Sequence, residues 1–188
     1  MSAVLNTDDL RPRGSFVPED RSLRRLHGAA VVRIFFGLLW AIDAWLKWRP
    51  GFIHGQMLTH ELNPDAVQTP MVHSWVQLWH DVAAVNPGTF ATGTAVIETL
   101  LAVALIFGIL TNLTLIVTAV FSFGIWTAPE HMHLPWTTPG MTDLGPSIGY
   151  VVAALALFVA AAGATWSVDA VIRPHLGRLA PLAGSVPA

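Results

Sequence analysis

Polar and apolar positions in this chain fall into long blocks rather than short alternations. Four of the blocks read as helical membrane spans when set against about 20 residues at a rise of about 1.5 Å each, the length needed for a hydrocarbon core of about 30 Å. They cover residues 28–46, 89–110, 113–128 and 146–165. The first contains Arg33 and Asp43, and the second is broken only by Glu98. The third is short for a full crossing. The fourth opens on Pro146, a residue suited to the first turn of a helix, and Pro174 stops any continuation. The expected fold is therefore an all-α integral membrane protein, a four-helix transmembrane bundle with amphipathic helices in a long first outer loop. The Thr111-Asn112 connection is too short to leave the membrane surface, so the second and third spans should form an antiparallel hairpin.

The outer loops are expected at 47–88 and 129–145. From Met71 to Val85, the apolar residues Val72, Trp75, Leu78, Trp79 and Val82 share one helical face, with His73, Gln77 and His80 on another. That pattern predicts an amphipathic helix lying on the membrane or capping the bundle, ended by Asn86-Pro87-Gly88. Met57 to Leu62 predicts a further short helical turn before Asn63-Pro64. The second outer loop is rich in proline and reads as irregular. Residues 1–27 form a basic tail expected to be partly disordered, and residues 167–188 a C-terminal tail expected to be loosely ordered after Pro174.

Composition sharpens the membrane reading. With 188 residues, 53% hydrophobic and 12% charged, and a mean hydropathy of +0.55, the chain carries more apolar surface than one soluble core can hide. Of the 10 Lys and Arg residues, only Arg173 and Arg178 lie beyond Arg49. Arg11, Arg13, Arg21, Arg24 and Arg25 precede the first span, so the positive-inside rule places both termini in the cytoplasm of a multi-pass protein of the bacterial plasma membrane. Nucleic acid is not an expected partner, because topology accounts for this basic segment; anionic phospholipid is the natural contact for Arg21, Arg24 and Arg25. The absence of cysteine excludes thiol-disulfide chemistry and thiolate ligation of iron-sulfur clusters.

Each ionised group inside a span costs about 2.5–3.5 kcal/mol at a helix centre, so Arg33, Asp43 and Glu98 should face the bundle interior. Arg33, Gly37, Trp40, Ala44 and Lys47 follow one helical stripe. One reading makes Arg33 and Glu98 a structural ion pair, with Asp43 and Lys47 satisfying each other. Another opens a polar pocket for a quinone head near Asp43, Lys47 and Trp40, where Gly37 and Ala44 leave room for a ring. In that pocket Glu98 and Asp43 are the candidate catalytic residues, and Arg33, Trp40 and Lys47 the candidate cofactor-binding residues. In the second outer loop, His131 and His133 flank Met132, a donor set that suits copper. The plain alternative is that these histidines are hydrogen-bonding loop residues. The outer tryptophans likewise fit an aromatic belt.

The run Arg33-Ile-Phe-Phe-Gly37-Leu-Leu-Trp40-Ala-Ile-Asp43-Ala-Trp45-Leu-Lys47-Trp48, followed by Pro50-Gly51-Phe52, resembles the opening signature of the DoxX/DoxD family of small membrane proteins. Glu98 and the apolar run to Gly108-Ile-Leu-Thr111 are similar to that family's membrane Glu and its turn into the third span. The resemblance covers roughly residues 28 to 165. It implies a four-helix membrane bundle, quinone-linked oxidation of sulfur compounds of the thiosulfate:quinone oxidoreductase kind, and a pocket lined by Arg33, Asp43, Lys47 and Glu98. The chain departs from a complete enzyme in lacking a separate soluble redox domain. The expectation is a membrane subunit of a quinone-linked redox system, working in the lipid bilayer with a membrane or outer-face protein partner. Two other classes compete with it: a non-enzymatic scaffold or assembly subunit of a larger complex, and an outer-face copper-binding protein.

Overall fold

The computed structural model describes residues 19–137, 140 and 142–184, and its described elements are all helical. The order is α1 (Glu19–Lys47), α2 (Pro50–Ile53), α3 (Gln56–Glu61), α4 (Pro70–Val85), α5 (Pro87–Phe107), α6 (Thr111–Thr127), α7 (Pro146–Val159) and α8 (Asp169–Ile172), with short 3-10 turns between and after them. Proline stands in the first turn of α2, α4, α5 and α7, where the missing N–H has no intrahelical acceptor to lose. The Asn86 side chain accepts from Thr89 N and caps α5. Most of the expected N-terminal tail lies outside the described residues, but from Glu19 the chain is already helical.

Helix α1 packs along α5, and α6 packs along α7. One core joins all four, built from Phe36 and Trp40, Leu101 and Leu105, Leu115 and Ala119, and Ala154 and Leu157. Close approach of α1 to α5 depends on Gly37, since a β-carbon there would lie 2.8 Å from Ile106 Cγ1 and 2.9 Å from the Ile106 nitrogen. A second cluster, Phe52, Leu58, Leu62, Ala83 and Ala91, seats α2, α3 and α4 on the first turns of α5.

The bundle carries apolar side chains on its outside as well as in its core. Arg33, Glu98, Thr118 and Ser122 are buried, whereas Phe35, Ile42, Leu100, Val120, Val152 and Val159 stand exposed on the outsides of α1, α5, α6 and α7. Two helices, over Ser22–Lys47 and Pro87–Phe107, are long and apolar enough to cross a membrane. Helices α6 and α7 are apolar but have 17 and 14 residues, so they span about 25 and 21 Å.

The fourth apolar block does not remain helical to residue 165: α7 stops at Val159, and the chain then winds in turns with positive φ at Ala161 and Trp166. Those turns bring the carbonyls of Ala162 and Trp166 onto Arg33, at 2.7 Å from Nη1 and 2.6 Å from Nη2. The segment beyond them is better ordered than a loose tail. Buried Asp169 accepts from the backbone N–H groups of Leu110, Thr111 and Gly184, and Asn112 Nδ2 donates to the carbonyls of Pro181 and Ala183. Asp169 thus caps α6 from a position remote in sequence, and its negative charge suits a helix N-terminus.

The turn between α5 and α6 needs glycine for two reasons. Gly108 has φ +65, and a β-carbon there would collide with Ser167 Cβ and sit 2.7 Å from Arg33 Nη1. We predict that Gly108→Ala lowers stability by about 2–4 kcal/mol, combining left-handed strain with overpacking. Gly149→Ala, in helix α7 with open space around it, should be neutral or slightly stabilising. Thermal denaturation of the two variants in mild detergent checks the contrast; equal midpoints would refute it.

Candidate functional site

The polar groups buried among the helices separate into two ends. At the end marked by Gly108, Arg33 and Asp169 are held by backbone partners from α6 and from the segment after α7. This corrects the Arg33–Glu98 pairing, because Arg33 turns away from Glu98 to the chain that follows α7. Its fully buried guanidinium keeps only Nε without a partner.

Toward the other end, Glu98 is 1% exposed and its Oε1 lies 3.8 Å from Lys47 Nζ. Glu98 Oε2 has no hydrogen-bond partner. Lys47 Nζ also sits 4.5 Å from the centre of the Phe52 ring, and Trp48 Nε1 donates to Thr99 Oγ1 one residue beyond Glu98, so these contacts tie the end of α1 to the middle of α5. Asp43 does not pair with Lys47. It accepts from Tyr150 OH at 3.0 Å, joining α1 to α7.

Glu98 and Lys47 line a cavity of about 470 Å³ enclosed by α5, α6 and the helices of the 47–88 connection. Phe52, Trp75, Trp79, Phe90 and Phe121 supply aromatic wall, and Glu61 is the third charged residue in the lining. The volume falls within the range of about 300–1,000 Å³ typical of small-molecule sites. Of the five residues expected to form the pocket, Glu98 and Lys47 are brought together, while Arg33, Asp43 and Trp40 lie outside its lining. Trp40 is packed in the core against Phe36, Tyr150 and Phe121, so Phe121 separates it from the cavity. The expected space beside Gly37 is filled by Ile106.

Glu61 escaped the sequence reading although a signal was present. Leu58, Glu61 and Leu62 fall at i, i+3 and i+4, which puts the carboxyl on the apolar face of α3. Burial raises the Glu61 pKa above its ordinary value, with Lys47 and then His60 pulling it back down and Glu130 adding to the rise.

His131 and His133 adjoin this region. Burial lowers the pKa of His131 below the ordinary 6.5, against an opposing pull from the Glu61 backbone beside its ring. His131 Nε2 and His133 Nδ1 are buried without partners. Met132 packs on the apolar cluster of Val67, Val72 and Val76, and both His131 and Met132 adopt positive φ. Among the described residues no group of three His, Cys, Asp or Glu side chains could hold a metal ion; Met141 lies outside them. Glu130 has a capping role, accepting from Ser147 Oγ at 2.5 Å at the start of α7.

No protein-family model matches the chain, and comparison with the curated proteins and with the solved structures returns no match.

Two predictions follow from this geometry. Lys47→Met leaves the Glu98 carboxylate without its cation and should destabilise the protein by about 2 kcal/mol. That lies below the roughly 3–5 kcal/mol of fully buried pairs because the Lys47 side chain is 24% exposed. Adding Glu98→Gln should recover most of the loss, so a double variant no more stable than Lys47→Met would disprove the coupling. The second concerns His131, whose lowered pKa means that it takes up a proton more readily in the unfolded chain than in the folded one. Its contribution is fully present above its ordinary pKa and is lost as pH falls through the lowered folded value. Glu61, with a raised pKa, acts oppositely and loses stability as pH rises above about 4.5. His131→Asn should therefore shrink or reverse the excess of the melting midpoint at about pH 7.5 over that at about pH 5.5.

Proposed function

We propose that this protein is a membrane-embedded subunit that holds a quinone-type ligand for a redox partner, in keeping with the DoxX/DoxD resemblance of its first two apolar blocks. The observation that carries this reading is the apolar cavity with the Lys47–Glu98 pair in its wall, where Glu98 Oε2 has no partner. A buried carboxyl oxygen left unsatisfied is costly, and a ligand that hydrogen-bonds it removes the cost.

The bilayer part of the reading rests on polarity. Apolar side chains stand outside on α1, α5, α6 and α7, while Arg33 of α1 and Glu98 of α5 are buried, which suits four spans in lipid. The Arg and Lys distribution supports a reading with both termini in the cytoplasm and α4 on the outer side. The short α6 and α7 fit a locally thinned bilayer.

The residues present fit a quinone head. Lys47 Nζ would offer a charge-assisted donor to one carbonyl, Glu98 would exchange a proton at Oε2, and the rings of Phe52, Trp79 and Phe90 would flank the ring system. When bound, a quinone supplies the capacity to accept two electrons and two protons. The chain's own residues bind it, shield it from water and hold a titratable carboxyl beside it, while the electrons come from a partner on the outer side. A narrower scaffold role describes the opposite end of the bundle, where Arg33 and Asp169 join helices through backbone hydrogen bonds.

Titration of the purified protein in detergent with a short-chain ubiquinone tests the reading through quenching of the cavity tryptophans Trp75 and Trp79. Saturable quenching is expected. Thr94→Phe, which fills the cavity and leaves Glu98 and Lys47 in place, should weaken binding at least tenfold, a loss of about 1.4 kcal/mol. Asp43→Asn, outside the lining, should bind as the parent does. Quenching that never saturates, or that ignores Thr94→Phe, would exclude the cavity as the site.

A further inference from the structure

Helix α4 carries three faces where an ordinary amphipathic helix carries two. Val72, Val76 and Ala83 are buried against the protein, and Trp79 packs beside them. Met71, Trp75, Leu78, Val82 and Val85 recur at i, i+4, i+7, i+11 and i+14, a single stripe lying beside the buried one. This second stripe is exposed, from 39% at Trp75 to 86% at Val85, and contains no charged or hydrogen-bonding residue other than the indole of Trp75. The remaining arc holds His73, Gln77, His80 and Asp81, where Gln77 Nε2 donates to Asp81 Oδ1 at 2.7 Å. A helix with one side on protein, one apolar side uncovered and one polar side fits a boundary between protein, acyl chains and water.

The uncovered stripe is continuous with the cavity. Trp75 belongs to both, and on the facing side Val120 and Phe123 of α6 line the cavity while being 68% and 49% exposed. The mouth therefore opens between α4 and α6 on a surface of apolar side chains. We infer that α4 lies half sunk in the outer leaflet with its second stripe against lipid acyl chains, and that the cavity opens sideways into the bilayer between Trp75 and Phe123. Its ligand then arrives dissolved in the lipid, as a quinone or another hydrophobic molecule does. This inference rests on the bilayer reading above and adds to it the depth of α4 and the direction of the portal.

The absence of native cysteine makes the test direct, because single-cysteine variants of the full chain can carry a nitroxide label without a background site. Labels at Met71→Cys, Leu78→Cys and Val85→Cys report the stripe, Gln77→Cys and Ala84→Cys the polar arc, and Phe123→Cys the mouth. Leu100→Cys on α5, 62% exposed, is the bilayer benchmark. In phosphatidylcholine–phosphatidylglycerol vesicles, collision of each label with molecular oxygen, which concentrates in lipid, is compared with collision with a water-soluble nickel chelate. The oxygen-to-nickel ratio should be high at the stripe and mouth, matching Leu100, and should invert on the polar arc. Nickel-accessible stripe labels beside an oxygen-accessible Leu100 would overturn the inference and leave the bilayer reading standing. Stripe labels shielded from both reagents would overturn it in favour of a protein cover. A nickel-accessible Leu100 would bring down the bilayer reading itself.

Discussion

Burial of the Arg33 guanidinium is the constraint around which the bundle is organised. A cation with no exposed surface must be satisfied inside the protein, and two carbonyls beyond the end of α7 do this. Helix α7 accordingly gives way to turns after Val159, which sets the segment around Ser167 against Gly108 and leaves no room there for a side chain. The same segment delivers Asp169 to the N–H groups of Leu110 and Thr111, so the start of α6 is capped by residues placed there by the path away from α7. Negative charge on Asp169 also offsets the buried arginine.

That closed end makes the other end informative by contrast. Arg33 and Asp169 consume backbone partners, whereas Glu98 meets one lysine across 3.8 Å and leaves Oε2 without a partner. A bundle that needed Glu98 only to tie α1 to α5 has better ties already in the Gly37–Ile106 approach and the Trp48–Thr99 hydrogen bond. An incompletely satisfied acid beside a cavity is what the proposed ligand role would account for.

Only α1 and α5 are long enough to cross a membrane, but the order of the four apolar helices was legible because hydrophobic blocks, and Pro146 at the start of the last, are local signals. The partners of the buried charges were less so. Arg33 and Glu98 lie in adjacent blocks and invite pairing, but opposite charges in neighbouring helices do not reveal their levels along the axis. The packing of Gly37 against Ile106 sets those levels, aligning Lys47 with Glu98 and carrying Arg33 past the end of α5. Asp169 lies more than fifty residues from the helix start it caps, and nothing in its neighbours announces that role. For α4 the polar face of His73, Gln77 and His80 was legible, but the apolar positions belong to two stripes that a single hydrophobic label merges. Trp75, Leu78 and Val82 turn outward while Val72 and Trp79 turn in.

Splitting of that apolar arc bears on how a site inside the bundle remains reachable. A lid packed by its whole apolar face would seal the cavity, and one facing water on all remaining sides would admit solvent to the Lys47–Glu98 pair. Helix α4 divides its apolar surface instead, so that Trp75 stands at the edge of the opening with an uncovered apolar stripe beside it, which in the proposed bilayer setting would face hydrocarbon. In that setting water would be kept from the carboxyl by the medium as much as by the fold, and low local dielectric would strengthen the influence of Lys47 on Glu98. The His131 ring lies beside the backbone of Glu61, so the second loop adjoins α3 at the residue whose side chain shares the cavity lining with Lys47 and Glu98.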